Sequence, residues 1–232
     1  MIRGDTGCRP LITQVITRFI TYIQNIKITP SKLSHDAYSF EIESLDTPNF
    51  LRFLEKFNID EDIALKSKEE IKNICKGKYD MYWSENIVNS SKAASYNKFK
   101  SDIKIDTYLV QNLHPNIRIA LSRFRLSNHA LMIEKGRHVR PKVERDKRFC
   151  NFCKIEIEDE THFLLLCPLY SPKRTVLQNA CRINCSRFDS LTNGQKFIFI
   201  MSNENETILK TLSKFIYDST ILREKMMEYF FS

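Results

Sequence analysis

Cys150, Cys153, His162 and Cys167 form the string C-x2-C-x8-H-x4-C within eighteen residues. Thiolates and imidazoles are the ligands of tetrahedral structural zinc sites. Two Cys three apart can turn around one ion from a tight knuckle, and the His-x4-Cys half can complete the tetrahedron from a short helix. Three thiolates and one imidazole fill all four positions and leave none for water or substrate. The pattern therefore points to a structural Zn2+ rather than a catalytic one.

The residues between the ligands must bring the two halves together. Asp159 suits a helix N-cap and Glu160 a first turn, where the helix dipole favours an acid. Phe163, Leu164, Leu165 and Leu166 supply an apolar face. Pro168 disfavours helical geometry at Cys167, so the helix should end there and let Cys167 swing toward the metal. On a straight α-helix, residues five apart would lie about 140° round from each other. The acids Glu156, Glu158, Asp159 and Glu160 read as a solvated turn plus helix capping rather than an acid/base pair.

Seven cations (Lys135, Arg137, Arg140, Lys142, Arg145, Lys147 and Arg148) against two acids (Glu144 and Asp146) lead into this string, a local sum of +5 in a chain of net charge +8. Such a balance suits an anionic partner, nucleic acid being the usual one; ordinary solubility charge is the alternative. Phe149 and Phe152 flank the first two ligands. They could either stack on bases or pack beneath the metal.

The 232 residues allow one large or two small domains. A hydrophobic fraction of 42% with 16 Phe and 9 Tyr supports a core, and only 5 Gly and 7 Pro favour helices joined by short turns. We expect an all-α fold: a helical N-terminal region over 1–90, then a basic helical domain over 91–232 with a zinc-stabilised module at about 148–170 packed among C-terminal helices. Helices are expected over Pro10–Lys27 (apolar face Leu11, Val15, Phe19, Ile23, Ile26), Ser31 to about Leu45, and Asn49–Phe57. Another should run from a Ser67/Glu70 capping box through Trp83, weakened by Gly77. Its aromatic stripe reads as core rather than as a base-stacking platform. Ser90 and Ser91 mark a joint. Further helices are expected from Pro115, over Ser127–Gly136 with Gly136 as the C-terminal stop, over Pro172–Arg182, Gln195–Met201, and Glu206 to about Tyr229.

The other four cysteines (Cys8, Cys75, Cys181, Cys185) read as reduced thiols of an intracellular protein. The start is polar and charged rather than signal-like, and no apolar run approaches the roughly 18 residues of a membrane helix. We therefore expect nucleus or cytoplasm, not secretion, and no membrane partner. Arg3-Gly4-Asp5 spells an adhesion tripeptide, which in this setting reads as chance.

The runs LSRFRLSNHALMIEKGRH and ERDKRFCNFCKIEIEDETHFLLLCPLYSPKR together resemble the C-terminal region of non-LTR (LINE-type) retrotransposon reverse transcriptases. RGDTGCRPLITQVITRFITYIQNI is similar to the stretch that follows the polymerase core in that family. The likeness is loose up to about Leu113 and sharper from Leu121 to Arg174. It implies that Cys150, Cys153, His162 and Cys167 are zinc ligands. Arg123, Arg125, Arg137, Arg140, Arg145 and Arg148 match the family's general basic character, and with Lys142 and Lys147 of the basic loop they are the expected nucleic-acid-binding residues.

No aromatic-x-Asp-Asp turn is present, and Asp60, Glu61 and Asp62 lack its context. Two-metal nucleotidyl transfer needs convergent carboxylates. The expectation is thus a non-catalytic, zinc-stabilised domain that binds RNA or single-stranded DNA. A zinc-stabilised protein-interaction scaffold of the same source is the alternative.

Overall fold

The computed structural model describes residues 1–28, 31–33, 36, 39, 55–57, 59, 63 and 66–231. It is all-α, about 70% helical, with no sheet among the described residues. Two compact units are present: Gly7–Asn86, and Met1–Thr6 together with Ile87–Ser232. The break falls close to the Ser90–Ser91 joint, but the first six residues belong with the C-terminal unit rather than with the region that follows them.

In the Gly7–Asn86 unit, α2 spans Leu11–Ile28, after the short α1 at Ile2–Thr6. Its buried stripe is Thr13, Ile16, Thr17 and Ile20, whereas Leu11 and Val15, expected inside, are exposed. Threonines can occupy that face because their hydroxyls are satisfied within the helix. Thr17 Oγ1 donates to the Thr13 carbonyl at 2.9 Å, and Thr13 Oγ1 to that of Pro10 at 2.8 Å. The expected helices over Ser31–Leu45 and Asn49–Phe57 lie largely outside the described residues.

Helix α3, Lys68–Val88, runs unbroken through Gly77. The capping box that opens it is formed as expected: the Ser67 amide donates to Glu70 Oε2 at 2.8 Å, and the Glu70 amide to Ser67 Oγ at 3.3 Å. Ile71, Cys75, Tyr79, Trp83 and Ile87 are buried at four-residue spacing, so the aromatic stripe is core.

In the larger unit, α4 (Thr107–Val110), α5 (Pro115–Arg125) and α6 (Met132–His138) precede the ligand string. Helices α7 (Ser171–Asn184), α8 (Asn193–Ser202) and α9 (Glu206–Phe231) follow it. The long α9 packs against both α5 and α7. Phe163, the residue after His162, sits at the centre of this core. Its ring centroid lies 5.4 Å from Phe124, 4.6 Å from Tyr170 and 5.7 Å from Phe215. Each such aromatic pair contributes roughly 0.5–1.5 kcal/mol beyond its buried area. The ligand segment is therefore anchored by its own apolar residues.

The adhesion-like tripeptide is not displayed. Gly4 and Asp5 are buried, and Asp5 accepts hydrogen bonds from the Tyr96 and Tyr108 hydroxyls, both at 2.9 Å, and from Arg125 Nε at 3.0 Å. Gly136, expected to end its helix, lies inside α6. A Cβ there would stand 2.9 Å from Cγ, Cδ and Nε of Arg148. Its smallness makes room for that side chain.

Candidate metal centre

The first half of the centre is a short hairpin. Phe149 and Ile157 form an isolated antiparallel bridge. The Glu158 amide donates to the Arg148 carbonyl at 2.9 Å, and the Cys150 amide to that of Glu156 at 2.9 Å. The turn at its tip closes with the Lys154 amide on the Cys150 carbonyl at 3.0 Å, and Lys154 adopts φ 57°. Alternation along the strand turns Arg148 and Cys150 inward and Phe149 outward.

The second half is a helical turn capped by Asp159, whose Oδ1 accepts from the His162 amide at 2.8 Å. From His162 to Leu166 the winding is π rather than α. The Cys167 amide bonds the His162 carbonyl at 2.8 Å, five residues back. A wider turn brings residues five apart closer to alignment than an α-helix does, so both ligands of this segment face one point. Cys167 then leaves the helix at φ −56°, ψ 123°, ahead of Pro168. The termination at Pro168 is as expected from the sequence; the π winding is not signalled by it.

The side-chain atoms of Cys150, Cys153, His162 and Cys167 all lie within 4.8 Å of one another. Cys150 Sγ is 3.9 Å from Cys167 Sγ, and Cys153 Sγ is 3.3 Å from His162 Nε2. A tetrahedron with metal–sulfur bonds near 2.3 Å and metal–nitrogen near 2.0 Å separates its ligand atoms by roughly 3.4–3.8 Å. The donor set and its spacing thus fit a metal ion held by all four residues. His162 Nδ1 faces Glu156 Oε2 at 3.3 Å, which leaves Nε2 to the thiols. A carboxylate behind a ligating imidazole fixes its tautomer and raises its basicity.

Protonation follows the same geometry. The hydrogen bond to Cys167, with burial, pushes the Cys150 thiol up to about 12, and that bond lowers Cys167. Burial opposes charge on His162, but the bond with Cys150, the Glu156 carboxylate and the neighbouring thiol groups hold it up to about 9. A bound cation would displace these protons, so loading is accompanied by proton release.

Glu158 and Glu160 are not solvated turn residues; both are buried. Glu158 is paired with Arg223 of α9, accepts the Met132 amide at 2.8 Å, and has Cys150 Sγ 3.6 Å from Oε1. Glu160 accepts from Ser95 Oγ at 2.7 Å and Ser127 Oγ at 3.2 Å, and faces His129 Nε2 at 3.1 Å. Burial opposes its charge, but the His129 and Ser95 contacts hold its carboxyl down to about 2. Arg174 bonds the carbonyls of Leu164 at 2.9 Å and Cys167 at 2.7 Å, so it caps the C-terminal end of the ligand turn. These supporting residues lie on distant elements or look like ordinary surface charges in the sequence, and no local pattern marks them.

The expected basic contacts divide. Arg125 is 4% exposed and is used internally on Asp5, Asp106 and the Met201 carbonyl. Its place one helical turn after the buried Leu121 puts it on the core face of α5. Arg148 is 3% exposed and donates to the carbonyls of Ile133 at 2.7 Å and Val143 at 2.9 and 3.0 Å. Both are thereby withdrawn from the expected contact surface. Arg137 is half-buried, on Glu134 and Ser91. Arg123, Arg140, Lys142, Arg145 and Lys147 are exposed. Lys147 reaches Glu144 at 2.7 Å, while the other four have no ion-pair partner among the described residues. Arg148 is a peg: it folds the loop back onto α6 and leaves its remaining cations outward.

No described helix is long and apolar enough to cross a membrane. Comparison with known proteins finds no matching family model, no matching curated protein and no matching solved structure.

Proposed function

We propose that the chain is a non-catalytic, zinc-stabilised nucleic-acid-binding domain. The observation that carries the reading is the position of the metal centre. Its hairpin begins at Arg148, the residue that pins a loop carrying Arg140, Lys142, Arg145 and Lys147 at the surface. Zinc suits three thiolates and an imidazole in a tetrahedron, and four protein ligands leave no open coordination site for catalysis. Phosphate is the anion that such a cluster of exposed Arg and Lys would meet. The likeness to the tail of a non-LTR retrotransposon reverse transcriptase supports the same reading, with RNA or target DNA as the partner.

The test is a mobility-shift titration of the zinc-loaded chain with RNA and single-stranded DNA across a salt series. Binding should weaken steeply with salt, and replacing Arg140, Lys142, Arg145 and Lys147 by Gln should weaken it and shallow the slope. Binding indifferent to those replacements would remove the reading.

One observation favours a protein-interaction scaffold instead. A groove of about 870 Å³ lies between α5 and α9, lined by Ile119, Ala120, Ile216 and Ile221 among others. A partner that stays bound after nuclease treatment and is lost on Ala120→Arg would favour the scaffold.

A further inference from the structure

We infer that Phe149 is a base-stacking platform and that the surface around it takes single-stranded nucleic acid, an unpaired base lying on its ring. The inference rests on the nucleic-acid reading above and deepens it.

The two phenylalanines beside the first ligands are not equivalent. Phe152 packs against the core, and the Arg223 guanidinium lies 5.1 Å from its ring centroid. Phe149 is 45% exposed. Strand alternation explains the difference: Cys150 must face the other ligands, so the residue before it faces out. Its backbone is held on both sides by the hairpin bonds between Cys150 and Glu156 and between Glu158 and Arg148. A ring presented from so fixed a backbone has little ordering left to lose on binding. Ile155, on the same hairpin, is 69% exposed.

The surroundings select the partner. Arg145 and Lys147 sit on the 3-10 turn that ends just before Arg148, and Lys154 is exposed on the hairpin tip. The exposed acids Glu144, Asp146 and Glu156 share these segments, Glu144 pairing with Lys147, so the loop's excess of positive charge comes from Arg140 and Lys142 farther back. An exposed aromatic ring at the end of a loop with a net excess of Arg and Lys suits a chain that alternates flat apolar bases with phosphates. A duplex offers the phosphates but keeps its base faces stacked inside. Only an unpaired strand can use the ring and the cations together.

The experiment is fluorescence anisotropy of the full zinc-loaded chain with a labelled RNA strand, a DNA strand of the same sequence and the corresponding duplex, at one fixed salt concentration. Phe149→Ala should weaken single-strand binding by about 10-fold, within the roughly 5–150-fold that loss of one base–aromatic stack implies. Duplex binding and zinc content should stay unchanged. Phe149→Trp should restore single-strand affinity, with its fluorescence quenched on binding. Dependence on Phe149 with either strand supports the inference, and the two strands together distinguish RNA from DNA. If strands bind and Phe149→Ala binds them as well as the wild type, the stacking role is overturned while the basic-loop reading stands. If the wild type binds no nucleic acid, both fall. Polyglutamate binding with the same Phe149 dependence would assign the surface to acidic protein and overturn the inference.

Discussion

Arg223 and Glu158 meet in a buried two-point ion pair: Nη1 donates to Oε1, and Nη2 to Oε2 at 2.9 Å. The pair joins α9 to the hairpin of the candidate metal centre across 65 residues of sequence. Arg223 Nη2 also donates to the Ala130 carbonyl at 3.2 Å. The carboxylate lies 3.6 Å from Cys150 Sγ, so the guanidinium offsets its charge beside a candidate metal ligand. Arg223→Met should destabilise the zinc-loaded chain by roughly 3–5 kcal/mol, because it leaves Glu158 buried and unpaired. Adding Glu158→Gln should recover part of that loss. Denaturant unfolding of the two variants measures both values.

Glu156 Oε2 lies 3.3 Å from His162 Nδ1, a position from which a carboxylate orients a ligating imidazole. Glu156→Ala should lower zinc affinity by roughly 10–100-fold and leave the helical content of the loaded protein unchanged. Competition against a chromophoric chelator reads the affinity. An unchanged affinity would remove Glu156 from the support of His162.

At Gly136 two effects compete. Alanine is favoured over glycine in a helix by about 1 kcal/mol, while overpacking against a fixed side chain costs about 1–3 kcal/mol. Arg148 is held by three hydrogen bonds and cannot retreat from a Cβ at 2.9 Å. Gly136→Ala should therefore be net destabilising by about 1 kcal/mol and should loosen the basic loop, seen as faster proteolysis between Val139 and Lys147. Gly77→Ala, with open space around its Cβ, should stabilise instead.

The Asp5–Asp106–Arg125 cluster sets a pH dependence. Burial and the hydrogen bond with Asp5 push the Asp106 carboxyl up to about 7, against the pull of Arg125. Burial opposes charge on Asp5, but the Arg125 guanidinium and the bonds from Asp106, Arg125 and Tyr108 hold its carboxyl below the usual range. Asp106 is raised in the folded state. Its contribution is fully present below its unfolded value of 3.8 and is lost as pH rises through about 7. Asp5 acts in the opposite sense, losing its contribution as pH falls below the ordinary carboxylate range. Between pH 5 and pH 8 the wild type should lose stability as Asp106 gives up its proton. Asp106→Asn should remove that part of the slope, and unfolding at the two pH values measures the difference.

The ligand string, the Asp159 cap and the helix end at Cys167 are legible in the sequence because each depends on residues within a few positions. The π turn is not, since no residue type or spacing within His162–Leu166 distinguishes it from an α-helical turn. Glu158 and Glu160 look like surface acids because their partners, Arg223 and Ser95, are far away in sequence. Arg125 carries two opposing signals: counting four from Leu121 places it on the buried face of α5, while its charge suggests solvent. The buried stripe of α2 is hidden in the sequence because threonine, polar on any scale, loses little by burial when its hydroxyl bonds its own helix. The all-α class follows more simply from the scarcity of Gly and Pro and from apolar spacing of three and four.

Zinc content of protein purified without added metal, read with X-ray absorption at the zinc edge, tests the central claim most directly. The account predicts one zinc per chain with three sulfur neighbours near 2.3 Å and one nitrogen near 2.0 Å, lost on Cys150→Ser or His162→Ala. Zinc well below one per chain, or a sulfur count untouched by those substitutions, would contradict it.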